Sequence, residues 1–286
     1  MSRSRLIGSD LIRSIISSDT QKSMKFLNLY FLGLILIVCA APVTSVAQSL
    51  EERARETLEN NKAALVVVTV QSSLEAKTTG DPLPARAQQR RTLGVTIGDD
   101  GLIVVSNSAI DASVGLEGQQ AQLGEDVVSI QSANSVFQSV EISYGDTTLL
   151  SGRVVRQDEG ADVAFIMPDQ SEAETLGKKF EFVDLSKFAA TAQAADQVIG
   201  LSRASGVYGY MPILTVGRIT GVFKSDRTYF VTEAGTAQGI PIFTMDGNPV
   251  GVTVVRIIDG KPSGVLGTLS AGSIQIMANL AREAAE

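Results

Sequence analysis

Gly98-Asp99-Asp100-Gly101-Leu102-Ile103-Val104-Val105-Ser106-Asn107-Ser108-Ala109-Ile110 is the stretch that decides the fold class. Asp100-Gly101 is a hairpin turn signal, because glycine takes the positive φ that such turns demand. The apolar run Leu102–Val105 then resumes a strand. Upstream, Thr92–Ile97 alternates and Leu65–Val70 is rich in β-branched side chains, both strand signatures. The stretch Thr78–Gln89 between them carries Gly80, Pro82 and Pro84 and reads as a polar loop.

Downstream, residues 111–138 are rich in Gly, Gln, Ser and Asn with weak periodicity, and read as a long loop or insertion. Strands are expected at Val140–Tyr144, Gly152–Arg156 and Val163–Met167. The second half adds Gln197–Leu201, Leu214–Val222, Thr228–Thr232, Ile240–Met245 and Val250–Ile258, punctuated by Asp246-Gly247 and Asp259-Gly260. Helical signals occur only at the ends. Ser49-Leu50-Glu51-Glu52 is a capping box opening a helix to about Asn61. Beyond Ser270, the spacing of Ile274, Met277, Ala278 and Ala281 is helical. Many short strands with tight turns imply an all-β barrel or sandwich; strand content alone leaves both open.

The most restrictive number in the composition is zero: the chain of 286 residues contains no histidine. That removes the side chain most used for proton transfer near neutral pH and the commonest metal ligand. The single cysteine, Cys39, cannot form an internal disulfide or build a Cys/His zinc site. No metal and no cofactor is expected.

Phe31–Val43 is an unbroken apolar run preceded by Lys22 and Lys25, of the length of a signal-peptide h-region and short for a helical span. Ser45-Val46-Ala47 offers small residues for cleavage before Gln48. Residues 1–47 are therefore expected to be a targeting segment, with Met24 an alternative start and an uncleaved N-terminal membrane anchor the competing reading. A periplasmic or secreted location follows.

Of the 24 basic and 31 acidic residues, five and two fall in those first 47, so the remainder carries a net charge of −10. Such a chain repels nucleic-acid phosphates and anionic lipid, and Gln89-Arg90-Arg91 is too short a basic run to reverse that. Nucleic-acid binding is not expected.

Three separated segments resemble trypsin-like serine proteases, in particular the bacterial HtrA/Deg type. The opening stretch is similar to the family's turn and strand leading into Thr-Asn-x-His-Val, with Ser108 where the histidine would stand. Gly160-Ala161-Asp162-Val163-Ala164-Phe165-Ile166 is similar to Asp-Leu-Ala-Val-Leu, which puts Asp162 at the triad aspartate. Thr236-Ala237-Gln238-Gly239-Ile240-Pro241-Ile242 resembles Gly-Asn-Ser-Gly-Gly-Pro-Leu. Gln238 then falls at the nucleophile, and Thr236 and Ala237 at the oxyanion loop. The resemblance implies a double β-barrel without a PDZ module: a first barrel over 62–168, a linker at 169–179, and a second barrel with the C-terminal helix over 180–286. It also implies a substrate-pairing edge at Val252, Val254 and Arg256.

The same resemblance shows what is missing. In that mechanism the serine attacks because an imidazole takes its proton, and the aspartate only orients the ring. An amide is not a nucleophile, and a β-branched residue resists the backbone bend that glycine allows. The expectation is a pseudoprotease that binds an envelope or secreted protein or peptide. The alternatives are a serine endopeptidase of unconventional activity and a chaperone-like scaffold. The glycine- and tyrosine-rich loop Ala204–Met211 is a candidate partner contact, or a loop that packs its own tyrosines.

Overall fold

The structure, a computed structural model, describes residues 49–80, 82–123 and 125–285. The expected targeting segment, with Met24, Cys39 and the cleavage position, lies outside them.

Seven strands build the first half: β1 (Leu65–Thr78), β2 (Leu83–Thr96), β3 (Ile103–Ser106), β4 (Gln120–Leu123), β5 (Asp126–Ser143), β6 (Leu149–Asp158) and β7 (Val163–Pro168). They pair in the order β1-β2-β3-β7-β6-β5-β4, and β1 also pairs with β5. Six strands thus close into a barrel, with β4 added outside on β5. Six more follow: β8 (Gln197–Arg203), β9 (Pro212–Lys224), β10 (Thr228–Thr232), β11 (Pro241–Thr244), β12 (Pro249–Ile258) and β13 (Lys261–Ser270). They close a second barrel in the order β10-β13-β12-β11-β8-β9. With β4 set aside, both rings run first-second-third-sixth-fifth-fourth. The sequence shows no repeat, yet the topology repeats.

The apolar run in the opening stretch now has a cause. Ile103 and Val105 point into the first barrel with Val66, Val68, Val70, Ile142 and Ile166. Leu102 and Val104 point the other way, into a cluster with Val95, Phe165, Leu201, Tyr229, Phe243, Val252 and Ile274. That cluster takes residues from both rings and from the C-terminal helix. A strand buried on both faces must be apolar at every position, so alternation disappears from its sequence. The second barrel's interior is filled by Val198, Ile219, Phe230, Ile240, Ile242 and Val250.

Both terminal helices form as the sequence signals. In α1 (Leu50–Asn61), Glu52 N–H donates to Ser49 Oγ at 3.2 Å and Ser49 N–H to Glu52 Oε2 at 3.0 Å, the reciprocal capping box. The other, α4 (Ala271–Glu283), buries Ile274, Met277, Ala278 and Ala281 against the shared cluster. Its Arg282 Nε lies 2.7 Å from Asp100 Oδ2, so the chain's end braces the Asp100-Gly101 turn, where Gly101 has φ +80°.

Two expected loops are strands. Thr78–Gln89 is the far end of a β1–β2 hairpin, paired Leu74↔Arg86 and Ala76↔Leu83. Pro84 is accommodated because it lies opposite the irregularity between Leu74 and Ala76, where a ladder tolerates a missing N–H. Most of residues 120–138 belongs to β4 and the 18-residue β5, which pairs with β4 at Asp126–Ser129 and with β1 from Ile130 to Ser143. Beyond the barrel the sequence of β5 mixes Ser, Gln and Asn with scattered apolar residues, and buried Ser135 stands where an apolar residue would have marked the alternation. The stretch expected as a linker contains a short helix, α3 (Gln170–Thr175), capped by Asp169. Beyond it, Val183 N–H donates to Thr96 O at 2.9 Å, which ties the connection to the first barrel.

Candidate functional site

Asp162 ends the turn before β7 with its side chain fully buried and its backbone left-handed, φ +57°. Aspartate tolerates this conformation better than most residues, at a cost of about 1–2 kcal/mol. Three donors hold the carboxylate. Ser108 N–H reaches Oδ1 at 2.7 Å, while Ser106 Oγ–H at 2.6 Å and Val255 N–H at 2.7 Å reach Oδ2. Asn107 N–H donates to the Asp162 carbonyl at 3.0 Å, so β3 and the short helix α2 (Asn107–Ile110) are fixed by both ends of one residue. All four donors are uncharged.

Gln238 completes the cluster from the second barrel. Its Nε2 donates to Ser108 Oγ at 2.8 Å and to Ser106 Oγ at 3.0 Å. The three positions read from the sequence as 108, 162 and 238 therefore meet in one hydrogen-bonded network, with Ser106 as a fourth member. Ser106 is the member that sequence reasoning missed as the carboxylate's partner. Its only signal was a polar residue closing an apolar run.

The network holds no imidazole, and its carboxylate is buried and already bonded by three donors. The Gln238 amide presents donors to both serines. Ser106 already donates to the carboxylate and, like Asp162, has no accessible surface for a substrate to reach. The nearby cation, Arg90, donates to Ser108 O at 3.2 Å and has no proton-accepting atom.

Thr236 and Ala237, the positions matched to the oxyanion loop, are exposed, and Thr236 N–H donates to Ala234 O at 3.2 Å. Thr236 is not among the residues with positive φ. Gly239 is, at φ +79°, and a side-chain carbon there would strike the Leu93 carbonyl.

The expected substrate-pairing edge is committed within the fold, which narrows that expectation. Val252 and Val254 are buried in the cluster shared by the barrels, and Val252 is paired on both sides, with Pro241 and Leu269. Next along, Thr253 exchanges bonds with the loop: its N–H to Ile240 O at 2.9 Å, its carbonyl from Gly239 N–H at 2.8 Å. Val255 gives its amide to Asp162. The Arg256 guanidinium lies 3.7 Å from the Tyr229 ring centroid and 5.4 Å from that of Phe223, stacked rather than free. In the 204–211 loop, Tyr208 and Val207 project to solvent, while Tyr210 is tied back to Arg91 of β2.

No family model matches the sequence. A search of curated proteins also finds no match. Among solved structures, the crystal structure of Deg5 is similar to this chain with a TM-score of 0.51 and 16% identity, over 80% of this chain and 94% of that one. At that identity the likeness speaks for the fold. The fold is the trypsin-like double β-barrel.

Proposed function

We propose that this chain is an exported trypsin-fold pseudoprotease: it binds polypeptide in the cell envelope or outside it and does not cleave it. The observation that carries this reading is the Gln238 amide donating to Ser108 and Ser106. Two positions that a working triad reserves for nucleophile and base are joined here by a bond in which neither partner can act. Because no histidine exists anywhere in the chain, no loop movement can deliver the missing base.

Binding remains because the scaffold is intact. Both barrels close, the carboxylate is kept, and the network is satisfied rather than collapsed. A fold that has lost its chemistry still presents loops and strand edges to a partner. The test is incubation with a fluorophosphonate probe followed by intact-mass measurement. The unmodified mass is expected. A mass increase traced to any serine of the 106–108 segment would restore the hydrolase reading.

A further inference from the structure

The strand that the family resemblance assigns to peptide pairing is engaged within the fold at Val252, Thr253 and Val255, but another edge is open. We propose that β2, from Leu83 to Arg91, captures an extended acidic segment of a partner by strand addition. This deepens the binding reading above and rests on it.

The backbone geometry comes first. β2 pairs with β1 from Leu83 to Val95, but with β3 only at Val95 and Thr96. Ile97 N–H donates to Leu102 O at 2.7 Å, so Ile97 presents its backbone toward the β3 side. Register with β1 is unbroken from Arg86 to Val95, and alternation along a strand puts the backbone groups of Arg91, Gln89 and Ala87 on that same side. None of the three is paired there with another strand among the described residues. Barrel closure removes edges everywhere that both rings extend; here β1, β2 and β5 run on past the ring and recreate one.

Charge selects the occupant. Leu83–Thr96 contains Arg86, Arg90 and Arg91 and no acidic residue, in a chain that is otherwise strongly acidic. Arg86, Arg90 and Arg91 keep their charge whatever they bond. A second copy of this chain is disfavoured at this edge. Two-fold pairing brings three arginines from each copy and no carboxylate into one short ribbon, and with the pairing centred on Gln88 it sets Arg86 directly opposite Arg90, where like charges destabilise a ladder. An extended segment with Glu or Asp at alternate positions meets the free amides and carbonyls with its backbone and the arginines with its side chains.

The experiment uses fluorescence anisotropy with two labelled ten-residue peptides, one alternating Thr and Glu, the other Thr and Lys, on the protein from Gln48 onward. The Glu peptide is expected to bind about tenfold or more tighter than the Lys peptide, a preference that weakens with salt. Gln89→Pro removes an outward N–H that β1 does not use, and is expected to weaken the Glu peptide about tenfold with the thermal melt preserved. Arg86→Glu is expected to reverse the preference between the peptides. Equal binding of both peptides, or Glu-peptide binding indifferent to both variants, overturns the inference. So does sedimentation showing a dimer that Gln89→Pro dissociates, because the occupant is then a second copy. Mass spectrometry of the recovered peptide separates the two claims: a cleaved peptide defeats the pseudoprotease reading, whereas an intact but unbound one defeats only the β2 assignment.

Discussion

Gln238 Nε2 stands 2.8 Å from Ser108 Oγ, joining a residue of the second barrel to one of the first through an amide nitrogen that only donates. Restoring a hydroxyl at that end alone is not expected to restore chemistry, because no imidazole exists to receive its proton. Gln238→Ser is expected to remain unlabelled by a fluorophosphonate, as read by intact mass. Its melting temperature should fall, since two neutral hydrogen bonds worth about 1–2 kcal/mol together are lost.

Asp162 is a structural anchor whatever its ancestry. Asp162→Ala strips three amide and hydroxyl donors of their acceptor and places alanine at a left-handed backbone. Each orphaned buried donor costs about 1–3 kcal/mol, so a loss of at least about 4 kcal/mol is expected in urea unfolding. Asp162→Asn keeps the conformational tolerance but turns an amide donor toward one of those groups, and should fall between the two.

Gly239→Ala should be as damaging as many core truncations, although Gly239 lies in a loop. Its φ of +79° disfavours a side chain, and the new carbon meets the Leu93 carbonyl, a backbone atom that cannot rotate away. A loss of about 2–3 kcal/mol is expected. A Gly239→Ala protein with an unchanged melt would show that the 236–240 loop is free to reshape.

Acid should weaken the fold through Asp146 and Asp100. Burial pushes Asp146 up, but bonds from Lys178 and Thr148 outweigh it and hold the carboxyl at about 2. Asp100 is likewise raised by burial and lowered further by Arg282 and the Leu102 amide, with a net fall. A carboxyl depressed in the folded state stabilises above its unfolded value near 4, and that contribution disappears as pH falls through the folded value. Melts should be flat from pH 7 to 5 and drop between about pH 4 and 2. Asp146 is more than half exposed, so Asp146→Asn should lower stability at pH 7 and shrink that drop only in part, by under about 1 kcal/mol.

What was legible in the sequence follows the physics of burial. Leu102–Val105 announces a strand because both its faces are covered, and Ser49-Leu50-Glu51-Glu52 announces a helix because its caps are local. The far end of the β1–β2 hairpin and most of β5 were invisible, because polar Ser72, Thr78 and Ser135 stand at buried positions where apolar residues would have marked the alternation, and Pro82 and Pro84 imitate a loop. Positions 108, 162 and 238 were found through a family resemblance and brought together by the fold. The hydroxyl of Ser106 and the amide of Val255 were not found, because a hydrogen bond across about 56 or 93 residues leaves no local mark.

The direct trial of the account is release of dye from fluorogenic casein by the protein from Gln48 onward, purified through two dissimilar columns. The expected rate equals that of buffer alone, at every pH from 5 to 9. Turnover that co-purifies with the protein and vanishes in Ser106→Ala or Ser108→Ala would mean that a nucleophile is at work in a chain with no imidazole to activate it.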